Sequence, residues 1–424
     1  MLLRADTGGE TGSPGLIRRA RLGLMPQEAE AGAPYDLWLH GVSVGEQMVL
    51  EPIVAALLER APGLNIAVSS FTETGYRRAK ELFGGRCRVI GYPLDFPQAV
   101  KRALDSLRPR LYACVETELW PNMLLELDRR GTPRVLLNAR ISPRSFPRYM
   151  KVRPLVRRML AGFKRICAIS QENRQRLVAL GALESAIQVS GNAKYQGLLS
   201  KTADGEETGR IRARMKRLLM GPDQREETGR IWICGSIRGR EHQHIIRAFS
   251  VMKDAFPALR LVLAPRHLER VSDIEGVLRA EGIGYGLWSR IKGRGLKADE
   301  RVAVVDEMGC LFEIYSAASF SFVGGSIEPL GGQNPMEPAA WSSPVIYGPH
   351  MENFEDAVRA LEARKGGIRL DGPGPLAKVA AFMLENEEFA KEAGARARLA
   401  LEDLAQGAAD RQAEALLELL GPGA

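Results

Sequence analysis

The stretch that decides the fold is Phe322–His350, FVGGSIEPLGGQNPMEPAAWSSPVIYGPH. It predicts an apolar strand, then a glycine-dense turn, then the start of a helix. Four glycines in it leave their backbone N–H groups uncovered: Gly324, Gly325, Gly331 and Gly332. Pro335 and Pro338 agree with a helix start, because a helix tolerates proline only in its first turn. Unpaired N–H groups and the helix dipole both attract negative charge, so the stretch predicts an anion-binding site.

Glycines alone would equally fit an ordinary strand-to-helix turn in an α/β domain. Two further features favour a ligand site: polar Asn334 and Glu337 at the predicted helix start, and a second loop, GPHMENF, at residues 348–354. Together these features predict a site for a nucleotide-sugar.

Length and composition favour an α/β protein of two domains. The chain has 424 residues, more than a single core usually spans. Its hydrophobic fraction of 45% with only 6% aromatic residues suits layers rich in Leu, Val and Ala. The net charge of +8 favours anionic partners but also fits a solvated surface. The five cysteines lack the spacing of a zinc site, so we expect no metal and a reducing compartment.

Short apolar strands alternate with helical segments along most of the chain, which predicts parallel sheets with helices on both faces. We assign residues 1–34 to an N-terminal tail and 35–199 to a first Rossmann-like domain. Residues 200–230 are expected to form a linker or insertion, and 231–424 a second Rossmann-like domain. Whether the last helix packs back on the first domain stays open. Two doubly wound domains of this kind are expected to face one another across a cleft, with ligands at the carboxyl ends of the strands.

The first 25 residues contain no apolar run of signal-peptide or transmembrane length. Arg18, Arg19 and Arg21 lie among leucines and an isoleucine, so a short basic amphipathic turn against a membrane is one interpretation. A disordered tail is the interpretation that we favour.

Polar residues follow the predicted strands of the first half. Glu46 lies just after the first strand, beside Gly45, and a second acidic group lies in VETELWPN, residues 115–122. A glutamate at a helix start often does no more than stabilise the helix, through its favourable interaction with the helix dipole. Carboxylates gathered at one sheet edge, however, suit proton abstraction from a hydroxyl. Asn138 and Arg140 end a further strand and are expected to add donor groups beside these acids.

The strand-end loops of the second half carry different chemistry. They offer the backbone N–H groups of Gly235 and Ser236, the side chains of Arg266 and His267, and the segment Asp306–Gly309. Arginine combined with backbone amides suits a phosphate. The first half therefore offers acids, and the second half offers cations and amides. This division suits a reaction in which the first half activates a hydroxyl and the second half holds a phosphate leaving group.

Several motifs, in this order and spacing, closely resemble the bacterial 3-deoxy-D-manno-octulosonic acid (Kdo) transferases. The motifs are HGVSVGE (40–46), FTETGYRRAKELFG (71–84), YPLDFP (92–97), VETELWPN (115–122), LNARISPRSFPRY (137–149), VSGNAKY (189–195), LAPRH (263–267), FVGGSIEPLGGQNPMEPAAW (322–341) and GPHMENF (348–354). The resemblance covers residues 35–420. It implies an inverting GT-B glycosyltransferase that moves Kdo from CMP-Kdo onto the lipid A precursor (lipid IVA) in lipopolysaccharide biosynthesis. The domain at 35–199 is then expected to bind the acceptor, and the domain at 231–424 the CMP-sugar.

By this resemblance Glu46 is the general base, with Glu116 and Lys194 assisting near the reacting centre and Glu118 as an alternate. The residues expected to hold CMP are Pro265, Arg266, Met308, Gly309, Cys310, Asn334, Pro335, Met336 and Glu337. CMP-Kdo is then the donor substrate, the lipid A precursor is the acceptor, and neither a cofactor nor a metal is expected. The resemblance also places the protein on the cytoplasmic face of the bacterial inner membrane, as a peripheral protein.

Three features depart from the family pattern. The family usually has a strongly apolar N-terminus, which is missing here, so membrane attachment is in doubt. Cys310 stands where glutamate is common, which weakens a side-chain role there, and the 200–230 segment is longer than usual.

Two alternatives remain. A GT-B transferase or epimerase that uses a UDP-sugar would have a similar second half, although the motifs of the first half favour Kdo. A nucleic-acid-binding module would suit the charge, but the basic residues are not interleaved with aromatics and no recognition motif is present. We therefore expect no nucleic acid among the partners.

The basic segment 140–158 is expected to contact the phosphates of the lipid acceptor.

Overall fold

The computed structural model of the chain describes residues 13–25, 34–203, 205–221 and 229–421. The chain divides into two compact units. The first unit consists of Met1–Gly197 together with Ala405–Ala424, and the second unit is Leu198–Leu404.

The first unit is built on a seven-stranded sheet in the spatial order β3-β2-β1-β4-β5-β6-β7. Its strands are β1 (Leu37–His40), β2 (Ile66–Ser70), β3 (Arg88–Gly91), β4 (Leu111–Val115), β5 (Arg134–Ala139), β6 (Arg165–Ala168) and β7 (Ile187–Val189). All neighbouring strands are parallel. The central strands are buried on both faces, as expected when helices cover a parallel sheet. Leu37 and Leu39 pack in one hydrophobic cluster and Trp38 in the cluster on the other face.

The second unit has its own seven-stranded parallel sheet, in the order β10-β11-β9-β8-β12-β13-β14. Its strands are β8 (Arg230–Ile237), β9 (Leu259–Pro265), β10 (Tyr285–Leu287), β11 (Val302–Val304), β12 (Phe320–Val323), β13 (Val345–Tyr347) and β14 (Gly367–Arg369). The sequence motifs predict the inner strands of both sheets. They miss β7, β10 and β14, which contain three residues each and carry little apolar pattern.

The helices follow the strands with short connections. In chain order they are α1 (Ser13–Arg21), α2 (Val44–Arg60), α3 (Glu73–Phe83), α4 (Pro97–Leu107), α5 (Pro121–Arg130), α6 (Phe146–Lys151), α7 (Arg153–Ala161), α8 (Gln171–Leu180), α9 (Ala193–Lys201), α10 (Gly205–Met220), α11 (Glu241–Met252), α12 (Val271–Ala280), α13 (Trp288–Arg294), α14 (Leu311–Ile314), α15 (Met336–Ala340), α16 (Glu355–Ala363), α17 (Leu376–Glu385), α18 (Glu387–Ala405) and α19 (Ala408–Leu420). Short 3₁₀ turns add Glu184–Ala186, Leu268–Arg270, Tyr315–Ala317 and Glu352–Phe354. Among the described helices, none has both the length and the apolar composition needed to cross a bilayer.

Two segments differ from the sequence interpretation. Residues 205–220 were expected to belong to a linker, but they form helix α10, whose Met215, Leu219 and Met220 lie in the core of the second unit. The described part of the N-terminal tail is not disordered: helix α1 buries Ile17 and Ala20. Residues 1–12 and 26–33 of the predicted tail lie outside the described residues. In both segments a few well-placed apolar side chains outweigh a largely charged composition.

The stretch Phe322–His350 has the predicted form. Strand β12 leads into a turn in which Gly325, Gly331 and Gly332 adopt left-handed φ angles of 66°, 86° and 76°, and helix α15 follows. Gly324 is required for a different reason, since a Cβ there would lie 2.3 Å from the Cα of Ile237. The ends of β12 and β8 therefore approach each other as closely as their backbones allow.

Candidate active site

The acids predicted from the sequence lie at the point where the first sheet reverses its strand order. Strands β1 and β4 are neighbours there, although two strands separate them in the sequence. Glu46 lies in the loop and helix start after β1, and Glu116 directly follows β4. Doubly wound sheets bind ligands outside the carboxyl ends of their strands at such a switch point. The fold thus brings the acids of two separate motifs to one edge.

Glu46 has a structural role as well as a candidate chemical one. Its Oε2 accepts hydrogen bonds from the backbone N–H of Ser43, at 2.7 Å, and from the Ser43 hydroxyl. The two residues form a capping box at the start of helix α2. Oε1 accepts no hydrogen bond from the described residues, so the carboxylate is held in place while one oxygen stays available.

Glu116 is held in an unusual backbone conformation. Its φ is 59°, in the left-handed region that residues with a Cβ adopt at a cost. Burial raises the pKa of its carboxyl group, the positive charges of Arg140 and Lys194 lower it, and the charge of Glu46 raises it. The guanidinium of Arg140 lies 3.9 Å from Glu116 Oε1, at the limit of an ion pair. Glu116 is therefore close enough to both Glu46 and Lys194 to interact with each by charge.

Glu118 is the acid with the most altered proton affinity. Burial first, and then the negative charge of Glu46, raise its pKa to about 7, against the opposing effect of a hydrogen bond from Trp120. That bond joins Trp120 Nε1 to Glu118 Oε2 over 3.0 Å. Three carboxyl groups thus share this edge, and burial together with the charge of Glu46 favours a proton on Glu118 near neutral pH.

Asn138 was expected to offer a donor group to the site, but its side chain is buried and occupied. Its Oδ1 accepts a hydrogen bond of 3.0 Å from the N–H of Ala193, at the start of the helix that carries Lys194. Its own backbone N–H donates to Gln412 Oε1 at 2.9 Å. Asn138 therefore positions the element that bears Lys194, and helix α19 in turn supports Asn138.

His40 ends strand β1 but is not a proton carrier at neutral pH. Burial lowers its pKa to about 3. Its ring stacks on Tyr92 with 3.5 Å between centroids, and its Nδ1 lies 3.0 Å from the Ser69 hydroxyl. The hydroxyl of Tyr92 is bonded to that of Tyr112 at 2.9 Å. This buried group forms a rigid aromatic layer of the first unit.

The residues predicted to hold CMP lie at the carboxyl ends of strands in the second sheet. Pro265 ends β9, and the exposed Arg266 follows it with its backbone N–H donating to the carbonyl of Ile237 at 3.0 Å. Met308 is 64% exposed, and Gly309 has a φ of 90°. Burial raises the pKa of the Cys310 thiol to about 11, so the thiol is neutral and only weakly polar.

Asn334 and Glu337 form a hydrogen-bonded turn at the start of helix α15. Asn334 Nδ2 donates to Glu337 Oε1 at 3.2 Å, and Asn334 Oδ1 accepts from the N–H of Met336 at 3.1 Å. Pro335 is the N-cap residue. The asparagine thus orients the glutamate and leaves Glu337 Oε2 able to accept further hydrogen bonds.

Glu241 is a functional candidate that the sequence reasoning missed. Its carboxylate is fully buried, and its two oxygens accept hydrogen bonds from four backbone N–H groups. Gly325, Ser326 and Ile327 donate over 2.7, 2.8 and 2.9 Å, and Arg238 donates over 2.8 Å. Glu241 therefore ties the glycine turn after β12 to the loop after β8. The only signal in the sequence is an acid at a helix start after a glycine, which usually indicates a helix cap.

Among the described residues, no three His, Cys, Asp or Glu side chains are grouped to hold a metal ion. Asp306 is engaged within the protein, since Ser289 donates to it through its backbone N–H at 2.8 Å and its hydroxyl at 2.6 Å.

Comparison with solved structures supports the predicted fold. The UDP-GlcNAc 2-epimerase of Neisseria meningitidis superposes with a TM-score of 0.63, covering 90% of this chain and 99% of the epimerase, at 12% identity. A glycosyltransferase from Rickettsia africae gives a TM-score of 0.61, covering 92% of this chain and all of that chain, at 14% identity. The prediction of a GT-B fold with two doubly wound, Rossmann-like domains is therefore confirmed.

Sequence comparison identifies the family. Residues 18–197 match the family described as 3-Deoxy-D-manno-octulosonic-acid transferase (kdotransferase). The 3-deoxy-D-manno-octulosonic acid transferase of Bordetella pertussis is 33% identical over 419 residues, covering 96% of this chain and 92% of that relative. A bifunctional glycosyltransferase/methyltransferase of Fusobacterium nucleatum is 30% identical over 84% of this chain, and the match spans about half of that relative, 53% of its length. This chain therefore belongs to the 3-deoxy-D-manno-octulosonic acid (Kdo) transferase family and is a glycosyltransferase.

Proposed function

We propose that this chain transfers Kdo from CMP-Kdo to the lipid A precursor (lipid IVA), with inversion at the sugar, in lipopolysaccharide biosynthesis. The observation that carries the proposal is the group of three carboxyl groups, Glu46, Glu116 and Glu118, at the switch point of the first sheet. The transferases named among the relatives support Kdo as the sugar.

In this mechanism Glu46 takes the proton from a hydroxyl of the acceptor. The hydroxyl oxygen then attacks the anomeric carbon of Kdo, and the bond from that carbon to the phosphate of CMP breaks. CMP leaves with the electron pair of that bond. Attack on the face opposite the leaving phosphate inverts the configuration. Glu116 and Lys194 set the local charge at the reacting centre, because Glu116 interacts electrostatically with both Glu46 and Lys194.

Binding of CMP-Kdo is assigned to the strand-end loops of the second unit. Arg266 is exposed at the end of a buried strand and has a guanidinium suited to a phosphate. Glu337, oriented by Asn334, is suited to accept hydrogen bonds from ribose hydroxyls. Pro265, the segment Met308–Cys310 and the segment Asn334–Met336 complete the proposed nucleotide site.

The lipid acceptor is assigned to the first unit. Helices α6 and α7 carry Arg148, Lys151 and Arg153 and expose apolar side chains between them: Met150 is 40%, Val152 50% and Leu155 51% exposed. Basic residues mixed with exposed apolar ones suit an anionic, phosphorylated lipid at a membrane surface.

The test separates the base from the donor site. Glu46→Gln preserves the capping box, because glutamine also serves at that position, but it removes the base. We expect its kcat to fall about 10²–10⁴-fold with CMP affinity unchanged. Arg266→Ala should instead weaken CMP binding at least about tenfold, as loss of a charge-assisted hydrogen bond implies. Glu59→Gln, an exposed change on the same helix as Glu46, is the control.

The assay combines CMP-Kdo with tetraacylated lipid A precursor and identifies the product by mass spectrometry; CMP affinity is measured by calorimetry. A parallel reaction with UDP-GlcNAc tests a UDP-sugar enzyme. Retention of more than about a third of kcat in Glu46→Gln would exclude Glu46 as the base. Turnover of UDP-GlcNAc without turnover of CMP-Kdo would overturn the proposed donor.

A further inference from the structure

The second unit contains a cavity at the amino ends of its strands, on the opposite side of the sheet from the loops that carry the proposed nucleotide site. Its walls include Arg230 at the start of β8, Ser319 just before β12 and Pro344 just before β13. These positions are the amino ends of parallel strands, whereas the proposed nucleotide site lies at the carboxyl ends. The cavity, called here the basal cavity, has a volume of about 350 Å³. That volume is in the range of small-molecule sites.

The lining of the basal cavity carries an excess of positive charge. Four basic side chains line it, Arg212, Lys216, Arg230 and Lys391, against one acidic side chain, Glu387. Glu387 is already shared: Arg230 pairs with it, and Lys391 Nζ lies 3.0 Å from its Oε1. The carboxylate of Glu387 therefore forms ion pairs with two of the four basic side chains.

Lys216 is the cation that this carboxylate does not satisfy. It is partly buried on helix α10, and it makes no hydrogen bond or ion pair with any described residue. It is near enough to Glu387 to lower the pKa of that carboxyl, an effect led by the hydrogen bond from Lys391. A partly buried ammonium group without an ion pair, in a lining that holds three further basic side chains, favours the binding of an anion.

The remaining walls define what kind of anion fits. Met220, Ile231 and Met383 present apolar surface to the basal cavity. Trp341 and Ser316 also line it, and each has a buried polar atom, Nε1 and Oγ respectively, with no hydrogen-bond partner among the described residues. A compact anionic group attached to a larger body would use both the cations and the apolar walls.

We propose that the basal cavity is a second ligand site, which binds a small phosphorylated molecule through Lys216 and Arg212. The phosphate forms ion pairs with Lys216 and Arg212 beside Glu387. The remainder of the ligand packs on the side chains of Met220, Ile231 and Met383. This site goes beyond the proposed transfer reaction and uses none of the residues assigned to it.

The probe is glucose 6-phosphate, compared with glucose as its uncharged counterpart. We expect calorimetry to detect binding of glucose 6-phosphate but not of glucose, with an affinity that falls as salt is raised. Hydrogen exchange should slow at residues 316–319 and 341–343. Lys216→Gln and Arg212→Gln should each weaken binding at least about tenfold.

Arg217→Gln is the matched control, because Arg217 is an exposed neighbour on the same helix and does not line the cavity. It should bind the probe as the parent protein does. Arg266→Ala should also leave this binding unchanged, which separates the basal cavity from the nucleotide site. Absence of binding at about 10 mM probe, or binding that only Arg266→Ala abolishes, would overturn the proposal.

Discussion

Glu241→Gln tests whether one buried carboxylate orders the glycine turn of the second unit. Each oxygen of Glu241 accepts two backbone N–H groups, and the residue is fully buried. Glutamine replaces one oxygen with an NH₂ group, so two of the four N–H groups would face another donor. A hydrogen bond to a charged group contributes about 1.5–3 kcal/mol, and the loss of two is partly offset because a neutral amide is cheaper to bury. We therefore expect a cost of about 2–4 kcal/mol.

The amides that lose their acceptor provide the readout. In hydrogen exchange, the amides of residues 325–327 should exchange about 30–1,000-fold faster than in the parent protein, the ratio that 2–4 kcal/mol implies. Glu281→Gln is the control, because Glu281 is exposed and, among the described residues, accepts one hydrogen bond, from the Ser250 hydroxyl at 3.0 Å. Parent-like exchange at residues 325–327 in Glu241→Gln would refute the reasoning, since the turn would then be ordered without this carboxylate.

Two further predictions concern the first unit. The folded-state pKa of Glu118 is raised to about 7 from 4.5, so its ionised form destabilises the fold above pH 7 and has no such effect below about pH 4.5. Glu118→Gln should therefore raise the free energy of unfolding by about 1–2 kcal/mol at pH 8, after allowance for partial exposure of the side chain. Near pH 4 it should change that free energy by almost nothing. A gain in melting temperature that does not grow with pH would contradict this prediction. Replacing Arg144, Arg148 and Lys151 by Ser should raise KM for the lipid acceptor at least about tenfold, less so in high salt, and leave KM for CMP-Kdo unchanged. Arg158→Ser is the control, and equal effects on both substrates would indicate general damage to the fold.

The sequence predicts the architecture and the first sheet's acids for the same reason. Parallel strands end at one edge, so acids that follow separate strands, such as Glu46 and Glu116, are brought together whatever their separation in the chain. The role of Glu46 in the capping box was also readable, because Ser43 stands three residues before it.

Contacts between distant segments were not readable from local pattern. Gln412 supports the backbone of Asn138 across 274 residues, and nothing near either residue indicates the pairing. Glu241 bonds to residues 84–86 positions away for the same kind of reason. The composition of helix α10 predicts a linker because only a few of its residues are apolar, although those few are enough to bury one side of the helix.

The discontinuous first unit has a consequence for how the chain folds as it is made. Ala409, Ala413 and Leu416, from helix α19, pack in the same core as Leu37 and Leu39 of the first strand. The first unit therefore cannot complete its core until the ribosome has released the segment that follows the whole second unit. Until then the face of the first sheet that helix α19 covers exposes apolar surface, a condition that favours aggregation and chaperone binding.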